Sequence, residues 1–359
     1  MSERLFLVQS DRAGLRAAMV VGRRLEAVEI DRAAHPTLVG SVLPAKVIRT
    51  VPGLGTTIKL PDGSEVLLDR TKDDLQSGEG LTAQVTRGPR GAKLGIAHRA
   101  VALTGRGIVH LPFDSGVKIS RRLEIDGEKR AALEALVADR PGGWIFRRSA
   151  AGLDPEDFIA EIATLTAEGQ GASAAEPNLP APEAFRRLAT DYPAPDRVLV
   201  AGLAAQRSAE RWCGAFAPSL AGRIEVVPAG LFDLHDLDEA IAALADSHVM
   251  LAGGGSLVIE PTEALTVIDV NAGAEPNLLS ANLAAAAEIG RQLRLRHIGG
   301  IIVIDFISMT RPRDTERTME ALKVAAADDP SQTYIVPMSP LGLVEMTRER
   351  RGPGLEFCP

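Results

Sequence analysis

The sequence predicts a multi-domain α/β protein, and three observations carry that reading. A chain of 359 residues is too long for one ordinary hydrophobic core and suits roughly two or three domains. Residues 38–102 hold closely spaced short β-type runs punctuated by Pro/Gly turns, the pattern of a small barrel of the OB type. After a linker rich in small residues and proline, strands and helices alternate, the signature of an α/β unit.

The opening "RLFLVQSDRAGLRAAMVVGRRLEAVEIDR" reads as strand, turn, then two strands joined near Val21–Gly22, a sheet fragment awaiting partners from elsewhere. The barrel runs follow: "VGSVLPAKVIRTV", "TTIKL", "EVLLD", "LTAQVTR" and "KLGIAH", separated by "PGLG", "PDG" and "GPRG". "ISRRLEIDGEKRAALEALVADR" offers a strand and an amphipathic helix, "GGWIFRRSA" a strand, and "DPEDFIAEIATLTAEG" a helix with a proline-and-acid start. "AEGQGASAAEPNLPAPEAF" keeps no apolar period and reads as the domain boundary. "DRVLVAGL", "AAQRSAERWCGAF", "RIEVVPAG" and "DLDEAIAALADS" then alternate strand and helix.

Composition narrows the class. Hydrophobic content of 45% and charged content of 24% are those of ordinary globular protein. No apolar run reaches membrane-span length, and "MSERLFLVQSDR" is no signal peptide. Two cysteines, Cys213 and Cys358, make neither a disulfide framework nor a zinc pair, so a reducing, cytoplasmic setting is the expectation. A net charge of −7 weighs against a nucleic-acid partner, yet arginines cluster at Arg121–Arg122, Arg147–Arg148, Arg311–Arg313 and Arg348–Arg351 while the acids are dispersed. Aromatics at 4% limit any binding mode built on base stacking.

The chemistry concentrates in the last hundred or so residues. "SLVIEPTEALTVIDVN" is a hairpin-like strand pair, "NLLSANLAAAAEIGRQLRLRH" a helix with Leu279, Leu283, Ala286, Ile289 and Leu293 in period, and "IGGIIVIDFISM" a fully apolar strand. Strand–helix–strand with parallel strands brings both strand C-termini to one edge, where open α/β sheets place their chemistry. Asp269 and Asp305 lie near those ends, on strands ~4.8 Å apart if adjacent. Two such carboxylates repel unless a cation lies between them or one stays protonated. Mg2+ suits them, since it takes hard oxygen ligands, keeps its waters and often uses carboxylates plus substrate phosphate. Asn271 shares a strand face with Asp269 and can hold a phosphate or a water through its amide. The bland alternative stays open: strand-end aspartates also cap helices or bond loop amides. Arg291, Arg294 and Arg296 in "RQLRLRH" likewise read as a solvated stripe or a phosphate clamp.

At these residues a resemblance enters. "SLVIEPTEALTVIDVN", "ANLAAAAEIGRQLRLRHIGGIIVIDFISM" and "LGLVEMTRER" resemble the catalytic domain of the ribonuclease E/G family. More thinly, "LRAAMVVGRRLEAVEID" resembles its N-terminal strands, "VGSVLPAKVIRTVPGLGTTIKL" its S1 barrel, and "GVKISRRLE" and "GGWIFRRSA" its 5′-phosphate sensor. The resemblance implies an RNase H-like subdomain from residues 1–36 and 176–247, with an S1 barrel (37–102) and a sensor unit with linker (103–175) inserted, followed by a DNase I-like catalytic subdomain (248–359). It implies Mg2+-dependent (or Mn2+-supported) endonucleolytic cleavage of single-stranded RNA in ribosomal or messenger RNA processing or decay, leaving 5′-phosphate and 3′-hydroxyl ends. By motif match Asp269 and Asp305 become metal ligands and Asn271 the supporting amide. Lys59, Arg87, Arg90 and Lys93 of the barrel, and Arg121, Arg122, Arg147, Arg148 and Ser149 of the sensor, become RNA-binding residues.

Departures from the family qualify this. Its zinc-sharing Cys-Pro-x-Cys motif is not matched; "FCP" supplies one cysteine, so neither zinc nor a zinc-linked dimer is expected. Where relatives carry barrel phenylalanines, Ile58 and Val66 stand, each lost platform removing about 1–3 kcal/mol per stacked base. Lys59 and the "TRGPRGAK" loop then bind by charge or are merely solvated turn residues. The sensor lacks arginines expected near Gln332 and at Pro340, and Ser308 replaces an aspartate. Three readings compete: an endoribonuclease with weak RNA affinity and blunted 5′ sensing; a catalytically weak RNA-binding or ribosome-associated factor; and a nucleotide-binding α/β enzyme. The last has no glycine-rich phosphate loop, because "AGGGS" at 252–256 precedes a strand.

Overall fold

The structure is a computed structural model of the chain and describes residues 2–34, 36–51, 55–69, 75–91, 93–327 and 329–351. Its contacts divide it into two compact units, residues 1–22 with 29–231, and residues 23–28 with 232–359.

The first unit opens with β1 (Arg4–Asp11), β2 (Gly14–Val21) and β3 (Arg24–Arg32), whose residues 29–32 belong here. Five strands then close a barrel: β4 (Val42–Val51), β5 (Gly55–Lys59), β6 (Glu65–Leu68), β7 (Gly80–Arg87) and β8 (Gly95–His98), in spatial order β4-β5-β6-β8-β7. The interior is Val47, Ile58, Val66, Leu68, Ala83, Val85 and Ala97. Register shifts at Val47/Arg49 and Val85/Arg87 bend β4 and β7 as closure requires.

Next come β9 (Leu103–Thr104), β10 (Ile108–Leu111), β11 (Gly116–Ile119), helix α1 (Gly127–Val137) and β12 (Gly143–Phe146), with sheet order β11-β12-β10-β9. The Asp126 carboxylate caps α1 by accepting from the Lys129 N–H at 2.8 Å. Helix α2 (Pro155–Ala172) corrects the expected linker, for it runs five residues past Ala167. Its glycines are packing devices rather than linker residues: a Cβ on Gly169 would collide with the His110 ring, itself stacked on Trp144.

Helix α3 (Ala184–Asp191), β13 (Arg197–Ala201), α4 (Leu203–Phe216) and β14 (Ile224–Val226) complete the unit. Strand β13 pairs in parallel with β1, from Leu5↔Arg197 to Gln9↔Ala201, giving a sheet ordered β14-β13-β1-β2-β3. The N-terminal fragment thus finds its missing partners nearly two hundred residues downstream, and Phe6, Phe185 and Trp212 interlock edge-to-face above it.

The short helices α5 (Leu231–Leu234) and α6 (Leu237–Ala242) lead to the second unit's β15 (His248–Met250), β16 (Ser256–Pro261), β17 (Thr266–Asn271), α7 (Leu278–Leu295), β18 (Gly300–Asp305), α8 (Pro312–Ala327), β19 (Thr333–Ile335) and β20 (Leu343–Arg348). The six-stranded sheet runs β15-β16-β17-β18-β20-β19, and only β17–β18 is parallel. One face is the core: Leu257, Ile259, Ile268, Val270, Ile302, Ile304, Val344 and Met346 pack with Ala285, Ile289 and Leu293 of α7 and Met319 and Leu322 of α8. The opposite face is open, with Met250, Ile301 and Tyr334 more than half exposed. Among the described residues no helix is long and apolar enough to cross a membrane.

Candidate active site

Strand period decides where the two aspartates go. In β17, Ile268 and Val270 turn into the helix-covered core, so Asp269 and Asn271 turn to the open face. In β18, Ile302 and Ile304 do the same, which puts Asp305 on that face too. The parallel register then pairs Asp269 directly with Asp305, on strands ~4.8 Å apart. A one-residue slip of either strand would drive its carboxylate into the core, so the apolar residues enforce the juxtaposition. The Asn271 amide donates to Asp269 Oδ2 at 2.8 Å and fixes that carboxylate.

Both strand exits are pinned. Asn282, fully buried on α7, donates from Nδ2 to the Ile307 carbonyl at 2.8 Å and accepts from the Ile307 N–H at 3.1 Å. With Phe306 buried in the core, this clamp holds the backbone two residues beyond Asp305. At the other exit, Gly273 has φ +57° and a Cβ there would collide with the Gly254 carbonyl. The "AGGGS" turn is therefore a bare backbone surface against which the chain leaving Asn271 packs, not a phosphate loop. Asn277 then caps α7, accepting from the Ser280 N–H at 3.2 Å.

The donor set suits a hard divalent cation. Two in-register carboxylates on an exposed face leave room for water and phosphate oxygens, which Mg2+ favours over an all-protein cage. Among the described residues no group of three or more Asp, Glu, His or Cys is arranged as such a cage. Glu345 on β20 lies on the same face, opposite Val303 and diagonal to Asp305 at roughly 7–8 Å, the reach of a water-bridged contact.

Other predicted residues fall into distinct groups. The α7 arginines are neither a solvated stripe nor free clamps. Arg291 donates to the Leu25 carbonyl and to Glu288, Arg294 to Glu26 and the Ala325 carbonyl, and Arg296 to Gln292. In the first unit, Arg147 donates to the Gly105 carbonyl at 2.7 Å, to the Arg106 and Thr190 carbonyls at 3.3 Å, and pairs with Asp191 at 3.5 Å. The Ser149 hydroxyl donates to the Arg106 carbonyl. Arg121, Arg122 and Arg148 are exposed.

On the barrel, Lys59, Arg87 and Lys93 are exposed, and Arg90 and Lys93 close a tight turn through paired backbone bonds. Ile58 and Val66 correct the sequence reading. Both are core residues, 0% and 5% exposed, so they were never stacking positions. The partly or fully exposed members of β5 and β6 besides Gly55 are Lys59, Glu65 and Leu67, none aromatic. Cys358 lies outside the described residues.

Sequence reasoning missed Asn282 and Glu345, the first because a lone asparagine in an alanine-rich helix carries no pattern. It also passed over Arg311 and Arg313 as RNA contacts. They follow the Asp305 strand end, are exposed, and make no hydrogen bond or ion pair through their side chains among the described residues.

Comparison with known proteins gives the family. A match to the Ribonuclease E/G family spans residues 102–351. Ribonuclease G of Salmonella typhimurium (strain SL1344) is 30% identical over 96% of this chain and 80% of its own length. Ribonuclease G of Escherichia coli (strain K12) is 28% identical over the same shares. Ribonuclease E of Haemophilus influenzae is 29% identical over 99% of this chain and 43% of its own length. The match covers well over half the chain and includes every element that carries the aspartate pair: the chain belongs to the ribonuclease E/G family of endoribonucleases.

Proposed function

We propose that the protein hydrolyses internal phosphodiester bonds of single-stranded RNA with a divalent cation held by Asp269 and Asp305, leaving 5′-phosphate and 3′-hydroxyl ends. The observation that carries this is the direct register pairing of the two carboxylates on the open face of the second unit. The cation, Mg2+ or in its place Mn2+, supplies neutralisation of phosphate charge and a water acidic enough to act as nucleophile near neutral pH. Asp269 and Asp305 set its position; Asn271 holds Asp269 through one amide proton and keeps the other for a phosphate oxygen or water. Arg311 and Arg313 are the cations on this unit best placed by sequence to meet the RNA backbone beyond Asp305.

Ribosomal or messenger RNA is the substrate class in this reading, and zinc has no part in it. Recognition of a 5′-monophosphate is weak, because Arg147 is already engaged by three carbonyls and Asp191, and Ser149 by Arg106. The absence of an aromatic on the outward strands of the barrel supports a second reading, an RNA-binding factor of low turnover. Incubating an internally labelled single-stranded RNA with Mg2+ and then with EDTA separates the two. Cleavage that needs the metal and leaves 5′-phosphate ends supports the hydrolase; binding without cleavage supports the factor.

A further inference from the structure

Two residues of the second unit's open face, Ser256 and Met250, continue the row of Asn271 toward the edge of the sheet. Register sets Asn271 on β17 against Ser256 on β16, and Ser256 against Met250 on β15. Leu257 and Ile259 of β16 turn into the core, so Ser256 turns to the face that carries Asp269, Asn271 and Asp305. Direct partners across a ladder hold their Cβ atoms roughly 4.5–5.5 Å apart, and the diagonal from Ser256 to Asp269 is roughly 7–8 Å. The Asn271 amide is drawn to Asp269 at 2.8 Å, whereas the Ser256 hydroxyl makes no hydrogen bond among the described residues.

This row suits a ribose better than a second phosphate. Asn271, Ser256 and Met250 carry no charge. At the same edge the Glu275 carboxylate lies against Gly253, where a Cβ would stand 2.8 Å from Oε2. A negative edge repels a phosphate and admits a neutral hydroxyl. Backbone alone lines the approach to Ser256: Gly253 and Gly254 are exposed, and Gly255 packs so closely that a Cβ would lie 2.8 Å from the Asn271 carbonyl oxygen. Met250, 72% exposed, adds soft apolar surface beyond Ser256 for the base that such a ribose bears. In the hydrolysis proposed above, water attacks phosphorus and the bond to the 3′ oxygen breaks. That oxygen leaves as a hydroxyl, and the phosphate stays on the 5′ oxygen of the next nucleotide. The 2′-hydroxyl sits on the carbon adjoining the one that bears the leaving oxygen, so it is held within one sugar of the cation.

We infer that Ser256 hydrogen-bonds the 2′-hydroxyl of the ribose whose 3′ oxygen leaves, and so makes the site select RNA over DNA. A serine hydroxyl donates and accepts, as the 2′-hydroxyl does, and that group is what distinguishes RNA from DNA at a given position. The inference rests on the hydrolase reading for its phosphate, and on the register row for its ribose.

The test uses the full chain with Mg2+ and a labelled oligoribonucleotide cleaved at one mapped bond. A second substrate carries a single 2′-deoxy sugar on the 5′ side of that bond, and a third carries it on the 3′ side. The parent is expected to prefer the all-ribose strand over the second substrate at least tenfold in kcat/KM, about the scale of one hydrogen bond. Ser256→Ala should narrow that preference about tenfold, by slowing cleavage of the all-ribose strand and leaving the second substrate unchanged. The third substrate should cost parent and variant the same factor. An unchanged preference in Ser256→Ala overturns the assignment and leaves the hydrolase reading standing, and so does a parent that cleaves the first two substrates at one rate. A serine dependence that appears with the third substrate instead also overturns it, by moving the contact to the other ribose. A parent that cleaves none of the three overturns both readings. Thermal melts of parent and variant confirm that each is folded.

Discussion

Asn282 shows how much one buried amide can carry. It satisfies both backbone groups of Ile307 and so fixes the segment on which Asp305 sits. Asn282→Leu keeps the volume and removes both bonds; it is expected to lower kcat about 10- to 100-fold with a smaller change in KM, and to cost ~1–3 kcal/mol of stability. Asn282→Asp, which keeps the acceptor for the Ile307 N–H, should recover part of the rate. Steady-state kinetics beside denaturant melts check both. A second residue-scale device lies in the first unit. Burial pushes the Glu161 carboxyl up to about 7, against the pull of the Ile108 and Gly107 N–H groups that it accepts. The unfolded chain ionises this group near 4.5 while the folded one keeps its proton to about 7. Its contribution is therefore fully present below 4.5 and fades as pH rises to about 7. Melting temperatures across that window should fall with rising pH, and Glu161→Gln should flatten the fall. Cys213 is the opposite of a reactive thiol: burial raises it to about 11, so alkylating reagents should leave it unmodified until the chain unfolds.

At the scale of elements, the strands that carry Asp269 and Asp305 were legible and their supports were not. The alternation of Ile268, Asp269 and Val270, and of Ile304 and Asp305, is a two-residue period that any reader of the sequence can follow to the open face. The barrel was legible from its turn residues, yet the direction of Ile58 was not, because Thr56, Thr57 and Ile58 are all buried and leave no alternation to read. Gly169 and Gly171 misled for a similar reason. Glycine in a helix looks like a linker unless the His110 ring or Leu179 it must clear is known. The α7 arginines read as surface because their acceptors, the Leu25 carbonyl, Glu26 and Glu288, lie far away in sequence or one turn back. Gly273 holds the chain leaving β17 against the glycine turn. Its positive φ and the Gly254 carbonyl leave no room for a side chain, so Gly273→Ala should lower both the melting temperature and the cleavage rate. Gly214→Ala, with open space around it on the helical α4, should leave the cleavage rate unchanged and raise the melting temperature slightly.

The molecule as a whole carries a net charge of −7, and its exposed arginines and lysines are local exceptions to it. Many of its described arginines are structural, which leaves the barrel lysines, Arg87, Arg121, Arg122, Arg311 and Arg313 among the available charge. Affinity for RNA should therefore be modest and fall as salt is added. In the proposed reaction Asp269 and Asp305 act together on one cation at one phosphate. Its most direct test is the cleavage rate of a labelled single-stranded RNA at saturating Mg2+ for the parent chain, Asp269→Asn and Asp305→Asn, each verified as folded. Cleavage by the parent and none by either variant is the expected result. Full activity in either one would contradict it.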